Sequence, residues 1–101
     1  QTAVELFDEA IGLARQENFP VLLADAVQRK AYSLYDMEDF AAALPVAREA
    51  LALRASEAPG SSAHLASLQL LGLVLSYSGD EKQAEPPLRE AMALANQHHG
   101  E

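Results

Sequence analysis

An internal repeat is the feature that most constrains how this chain can fold. Residues 48–53 (REALAL) recur 41 positions later as residues 89–94 (REAMAL). The same offset aligns Val27 with Leu68, and it holds along the chain from residue 27 to residue 94. The chain is therefore predicted to be built from stacked copies of one unit. An earlier partial copy, at a shift of 40 positions, includes Ala3, Phe7 and Ala10.

Each unit is predicted to consist of two helices. In the last unit, leucines recur at the three-and-four spacing that places side chains on one face of a helix. Ser61 or Ser62 is placed to cap this helix, and Gly79 tolerates the left-handed conformation in which helices often end. Asp80 is expected to cap the partner helix, with Gln83 reaching back to complete a capping box.

The same pattern over the rest of the chain predicts an all-α protein of about five antiparallel helices. In the earlier complete unit, Asn18 is expected to cap a helix that has Pro20 in its first turn. Pro45 and the pair Pro86 and Pro87 lie inside the second helices, where a local bend or a late helix start is expected. The predicted parts of this single domain are a second-type helix over residues 2–17, a repeat over 19–54 and a repeat over 61–98.

Large and small side chains follow a fixed order through the last unit. Residues 68–75 read LQLLGLVL around Gly72, and Ala84, Leu88 and Ala91 follow in the second helix. This order resembles the tetratricopeptide repeat, in which a large residue, Leu-Gly and an aromatic residue precede Ala, a bulky residue and Ala. The 41-residue unit is similar to the longer repeats of kinesin light chains and many bacterial multi-repeat proteins. The resemblance implies a right-handed α–α superhelix of about two and a half repeats.

Composition argues against several classes of function. The chain has 15 acidic and 7 basic residues and a formal net charge of −8, whereas nucleic-acid binding requires clustered Lys and Arg. The absence of Cys excludes disulfides, thiolate metal sites and thiol catalysis. The longest uncharged stretch, residues 58–79, is interrupted by polar residues and glycines, so neither a membrane span nor membrane binding is expected. No cleavable signal pattern begins at Gln1, and the lack of Cys does not locate the protein, so localisation stays open with the cytoplasm as the default expectation.

No pattern in the sequence predicts an enzyme. The acidic pairs at 38–39 and 80–81 lie at predicted helix starts, where the helix dipole favours negative charge, so capping is preferred over acid–base catalysis. Adjacent His98 and His99 project to different faces, which favours an exposed tail over a metal site, and His64 is expected beside a helix cap. No catalytic, cofactor-binding or metal-binding residue is predicted.

Binding to another protein is the predicted function. In tetratricopeptide repeats the first helix of each pair lines the concave surface, so the resemblance implies that these helices carry the residues that contact a ligand. Three tyrosines there suit a peptide, although some of them could instead pack against neighbouring repeats. The predicted peptide-binding residues are Gln28, Arg29, Tyr32, Tyr35, Asp36, Gln69, Leu70, Leu73, Ser76 and Tyr77, with Asp25 and Ala66 on the same helix faces.

The charge of this face predicts the kind of partner. Family members that hold a terminal carboxylate use Lys, Arg and Asn, whereas Arg29 is the one cation among the predicted residues. The predicted partner is therefore an apolar or basic peptide segment or helix.

Two other functions stay open at this stage. The chain could be a sensory or oligomerisation segment of a larger bacterial transcriptional regulator or signalling enzyme, with the same face packed on that protein's own domains. A small-molecule carrier is the third hypothesis. Because the first and last predicted helices are both of the second type, their exposed apolar faces predict self-association or a piece of a longer array.

Overall fold

The computed structural model describes residues 1–99, which form five α-helices joined by short turns. The helices are α1 (Ala3–Gln16), α2 (Pro20–Asp36), α3 (Phe40–Glu57), α4 (Ser62–Tyr77) and α5 (Glu81–His99). Each helix packs on the next one along the chain, and α2 also contacts α4. The array measures 39 × 31 × 16 Å, so it is thin in one direction. The prediction of an all-α helical repeat is confirmed, since the described residues contain no strand.

Four of the helices begin at a side chain that accepts a hydrogen bond from the backbone. Thr2, Asp39, Ser61 and Asp80 each accept from the N–H group three residues further on, at 3.1–3.3 Å. Such a bond satisfies one of the N–H groups that the first turn of a helix leaves without a partner. Asp39 and Asp80 are equivalent in the two units, so the cap is itself repeated.

Two of the expected caps are wrong. Asn18 does not cap α2, because it lies in the preceding turn at a φ of 57°, a conformation that Asn tolerates better than most residues. The N-cap is Phe19, which provides no side-chain bond, and Pro20 favours the helix start through its fixed φ. Gln83 does not close a capping box, because its side-chain oxygen accepts a hydrogen bond from Arg48 Nη2 at 2.9 Å.

The interior prolines do not delay the helices that contain them. Helix α3 already begins at Phe40 and includes Pro45, and α5 includes Pro86 and Pro87 near its start. The expectation of a late helix start is therefore wrong, and the expected bend stays a prediction. Because a proline lacks an N–H group, it leaves the carbonyl four residues earlier without a donor. These carbonyls belong to exposed residues that water can reach: Ala41, Lys82 and Gln83.

Small side chains lie where the helices meet. Ala31, Ala43 and Ala47 have no exposed surface, and leucines of α4 fill the space around them. Half-buried Lys30 reaches Asp8 Oδ1 of α1 at 2.6 Å. The main core cluster consists of Ala31, Leu34, Ala43, Ala47, Leu70, Leu71, Val74, Leu75 and Ala84.

Gly72 marks a close approach between α4 and α5. A Cβ atom added to Gly72 would overlap the Leu88 side chain, lying 2.5 Å from its Cγ atom. Gly12 in α1 is also helical, but a Cβ atom there would meet no other group within 4 Å. Of the two helical glycines in residues 1–99, packing therefore requires Gly72 but not Gly12.

These two glycines give a matched stability test. We expect Gly72→Ala to lower the free energy of unfolding by about 1–3 kcal/mol, because the added methyl group displaces Leu88. We expect Gly12→Ala to raise it by about 0.5–1 kcal/mol, because alanine loses less backbone entropy in a helix. Urea unfolding followed by circular dichroism measures both values. A Gly72→Ala variant as stable as Gly12→Ala would contradict this account of the α4–α5 contact.

Candidate functional site

Exposed side chains of α2 and α4 form the surface that the sequence predicts for binding. The two helices contact each other directly, so their outward residues belong to one surface, here called the α2–α4 face. Apolar and aromatic groups remain partly exposed on it: Tyr32 at 39%, Leu73 at 38% and Tyr77 at 63%. The other predicted residues that are exposed on this face are Arg29, Asp36, Gln69 and Ser76.

Two of the predicted binding residues are buried instead. Leu70 is 1% exposed and belongs to the core cluster, because α4 packs on α2, α3 and α5 and has little free surface. Gln28 is 6% exposed and accepts a hydrogen bond from Arg54. The prediction that Leu70 and Gln28 lie on an accessible surface is therefore wrong. Tyr35, Asp25 and Ala66 are half-buried.

Three aromatic rings meet at the ends of α2, α3 and α4. The rings of Phe40 and Tyr77 are stacked, with centroids 5.7 Å apart and an interplanar angle of 13°. The ring of Tyr35 lies 5.9 Å from each of them and is tilted by 57° and 59°. Together with Asp36 and Glu38, these rings line a cavity of 330 Å³, here called the aromatic cleft. Three residues of the cleft, Tyr35, Asp36 and Tyr77, are predicted as binding residues from the sequence. The other two, Glu38 and Phe40, are not.

The turn between α2 and α3 explains how the cleft forms. Helix α2 ends at Asp36, and Glu38 in the turn adopts a φ of 60°. Asp39 then caps α3, so Phe40, the first residue of that helix, returns to the ring of Tyr35. The signal in the sequence is this short turn, because it places residues on its two sides close together in space.

The cleft is acidic. Asp36 and Glu38 are both exposed, and no Lys, Arg or His lines the cavity. Partial burial raises the pKa of Tyr35 above its usual value, and the neighbouring Tyr77 and Asp36 raise it further. The Tyr35 hydroxyl is therefore neutral at physiological pH, and the charge of the cleft comes from the two carboxylates.

A second cavity, of 570 Å³, lies at the start of α2. Phe19, Pro20, Val21 and Leu22 form its apolar part, with Asp25 and Arg54 beside them. Phe19 is 52% exposed and Val21 is 69% exposed, so much of this apolar surface faces solvent. The corresponding signal in the sequence is the unbroken apolar run over residues 19–24, which precedes the periodic positions of α2.

A polar network beside this second cavity joins α2 to α3. The Arg54 side chain, 12% exposed, donates from Nε to Gln28 Oε1 at 2.7 Å and lies 3.6 Å from Asp25 Oδ1. Arg29, on the exposed side, binds the other carboxylate oxygen of Asp25 at 2.9 Å. The side-chain oxygen of the nearly buried Gln28 therefore depends on Arg54 for its hydrogen-bond donor. Arg29 lies at the exposed edge of the network, where it contacts Asp25.

The two arginines provide a second matched test. Replacing Arg54 with Met leaves the Gln28 amide oxygen buried without a donor, so we expect the free energy of unfolding to fall by about 1–3 kcal/mol. Replacing Arg29 with Met removes only an exposed ion pair and should change it by less than about 0.5 kcal/mol. Urea unfolding of both variants checks the difference, and equal effects would rule out the buried role of Arg54.

The histidines have structural roles near the turn that precedes α4. His64 Nδ1 accepts a hydrogen bond from the backbone N–H of Gly60 at 3.0 Å, and the His64 N–H binds the capping Ser61. The expectation that His64 lies beside a helix cap is confirmed. His98 is exposed, as expected, although its Nε2 atom also lies 2.7 Å from the Gly60 carbonyl oxygen. The prediction for the His99 side chain falls outside what the structure describes.

Other kinds of site are not found in residues 1–99. In this part of the chain no cluster of three or more His, Asp or Glu side chains could hold a metal ion. None of the described helices has the length and apolar character needed to cross a membrane.

Comparisons with known proteins identify the repeat. A family model described as tetratricopeptide repeat matches residues 22–97, which is more than half of the chain. Neither the curated proteins nor the solved structures contain a match to the chain. The matched region begins within α2 and ends within α5, so it covers most of both two-helix units and every residue named on the α2–α4 face.

Proposed function

The chain belongs to the tetratricopeptide repeat family, and we propose that it is an interaction module that binds a peptide or helix of another protein on the α2–α4 face. Tetratricopeptide repeats generally mediate protein–protein interactions, and the family is typically non-catalytic. The observation that carries the proposal is the exposure of Tyr32, Leu73 and Tyr77 on two adjoining first helices.

These three side chains are suited to an interface. Aromatic residues dominate the energy of many protein interfaces because they bury a large area and lose little rotamer entropy. Tyr32 and Leu73 are exposed although the helices that carry them also supply the core residues Leu34 and Val74. A partner segment lying across α2 and α4 would remove this apolar surface from water.

The charge of the surroundings favours an apolar or basic segment. The chain carries a net charge of −8, and the aromatic cleft at one end of the face has two carboxylates. The only cation predicted on the face, Arg29, is engaged by Asp25 at 2.9 Å. An acidic segment would therefore meet repulsion, whereas a basic one would be attracted. The 41-residue period also supports assignment to the longer repeats of the kinesin-light-chain type.

Selection from a random peptide library tests the proposal. We expect the enriched peptides to be apolar or basic and to bind the wild-type chain in fluorescence polarisation. Replacing both Tyr32 and Leu73 with Ala should weaken their affinity by about tenfold or more, since two partly exposed anchors are lost. The control replaces Phe19 and Met92 with Ala, two exposed apolar residues, one before the start of α2 and the other on α5. Equal losses in both double variants would contradict binding on the α2–α4 face.

We also propose that the outer surface of α1 supports self-association. One side of α1 packs on α2, while Leu6 is 54% exposed and Leu13 is 55% exposed. These two leucines are two helical turns apart and lie on the same side of α1. In a stacked array, neighbouring helices usually contact each other through apolar side chains on one side of each helix.

Sedimentation velocity over a range of concentrations tests self-association. The wild-type chain should show a concentration-dependent increase in its sedimentation coefficient. Replacing Leu6 and Leu13 with Lys should remove this increase while the helical circular dichroism signal is kept. A wild-type chain that stays monomeric at the highest attainable concentration would contradict the proposal.

A further inference from the structure

We propose that the aromatic cleft is a subsite for the side chain of an arginine in the bound segment. The cleft consists of Tyr35, Phe40 and Tyr77 together with the carboxylates of Asp36 and Glu38. This inference rests on the proposed function, since it identifies one anchor of the segment that the α2–α4 face binds. Three observations support it: the ring geometry, the free carboxylates and the backbone of Glu38.

The rings offer flat surfaces to a flat cation. Phe40 and Tyr77 are nearly parallel at 13°, and Tyr35 closes the cluster at 57° and 59°. Phe40 and Tyr35 are half-buried and so are held by the fold, whereas Tyr77 is 63% exposed and presents its ring to solvent. A guanidinium group stacks on such a ring and is attracted by its quadrupole within about 6 Å.

The carboxylates complete the match. Within residues 1–99, neither Asp36 nor Glu38 forms an ion pair, whereas other acids such as Asp8 and Glu49 do. Arginine presents a planar fork of N–H donors that fits a carboxylate in a bidentate arrangement while its face stacks on an aromatic ring. The cleft combines these two partners of a guanidinium group.

The same geometry argues against other cations. A methylated ammonium is best held by rings that stand apart and surround it, but here the ring centroids are only 5.7–5.9 Å from each other. The three rings therefore fill the centre of the cluster themselves. A lysine ammonium is compact and strongly hydrated, and it lacks the flat fork that can stack and pair at once.

The backbone of Glu38 supplies an independent argument. Glu38 adopts a φ of 60°, and the equivalent residue of the next unit is Gly79, with a φ of 93°. Glycine adopts this left-handed region without strain, whereas a residue with a Cβ atom adopts it at an energetic cost. Helix geometry thus favours glycine at this turn, and the fold alone gives no reason for a carboxylate there. Asn18, at a φ of 57°, is the other described residue of this kind, but Asn tolerates the left-handed region better than Glu does. Backbone strain in a residue type that does not favour it is a common mark of a functional site.

Nuclear magnetic resonance titration of the whole chain tests the subsite. The probes are Nα-acetyl-arginine methylamide, its neutral isostere Nα-acetyl-citrulline methylamide, Nα-acetyl-lysine methylamide and tetramethylammonium. The arginine probe should shift the ring signals of Tyr35, Phe40 and Tyr77 and the amide signals of the α2–α3 turn in a saturable way. The citrulline probe should bind about tenfold more weakly or not at all, since it lacks the charge. The lysine probe and tetramethylammonium should each bind about threefold or more weaker than arginine.

Variants of the cleft separate binding from stability. Glu38→Gly should raise the urea midpoint of unfolding by relieving the strained backbone, yet it should weaken the arginine probe by about threefold to tenfold. Tyr77→Leu should weaken the probe to a similar extent without loss of helicity, because the Tyr77 ring is mostly exposed. The matched controls are Glu90→Gln on α5 and Phe19→Leu, an exposed aromatic residue before the start of α2 and outside the cleft, which should bind the probe as the wild type does.

Several outcomes would overturn the subsite. They are unmoved ring signals with the arginine probe, equal binding of the citrulline probe, equal or tighter binding of lysine or tetramethylammonium, and unchanged binding in Glu38→Gly and Tyr77→Leu. If library peptides need Tyr32 and Leu73 while the arginine probe leaves the cleft unmoved, the subsite fails and the proposed function stands. If the probe binds the cleft while library peptides do not need Tyr32 and Leu73, the cleft binds arginine, but the proposed function fails and with it the role of the cleft as an anchor for a segment on the α2–α4 face.

Discussion

The helices of this protein can stack only where small side chains let two backbones approach each other. Ala43 and Ala47 have no exposed surface, and Gly72 leaves no room for even a methyl group beside Leu88. Because close approach brings many atoms into van der Waals contact, these positions fix how far one helix lies from the next. The larger residues then fill what remains, and the surface on α2 and α4 is what this packing leaves uncovered. The small residues at the helix contacts therefore determine which side chains of α2 and α4 stay exposed.

Much of the fold could be predicted because its determinants repeat. The cap at Asp39 recurs at Asp80, and the left-handed turn residue Gly79 was identifiable from its type alone. The site was less predictable, since exposure depends on neighbours that a single helix does not reveal. Leu70 lies off the leucine stripe of α4, but α4 is covered on several sides and is apolar around most of its circumference, so this residue is buried as well. The aromatic cleft needs three helix ends at once, which no periodic pattern specifies.

The turn after α2 shows how stability and binding can oppose each other within one repeat. Glu38 occupies a backbone conformation that glycine adopts with less strain, as Gly79 does in the next unit. Because Glu38 is exposed, packing does not account for a strained residue at this turn. The two cavities also differ in the residues that line them. The one at the start of α2 is lined mainly by apolar residues, and its two charged residues, Asp25 and Arg54, face each other at 3.6 Å, whereas the aromatic cleft combines stacked rings with two carboxylates that form no ion pair within residues 1–99.

The aromatic cleft also depends on the order of the units along the chain. Tyr35 and Phe40 belong to one unit and Tyr77 to the next, and Tyr77 occupies the position equivalent to Asp36 rather than to Tyr35. A duplication that inserted a whole 41-residue unit between them would preserve every cap and every small residue at the helix contacts, and the array would still stack. It would nevertheless separate Tyr77 from Tyr35 and Phe40 and abolish the cluster. A unit added outside this pair would leave the cluster intact, so the cleft requires only that these two units remain neighbours.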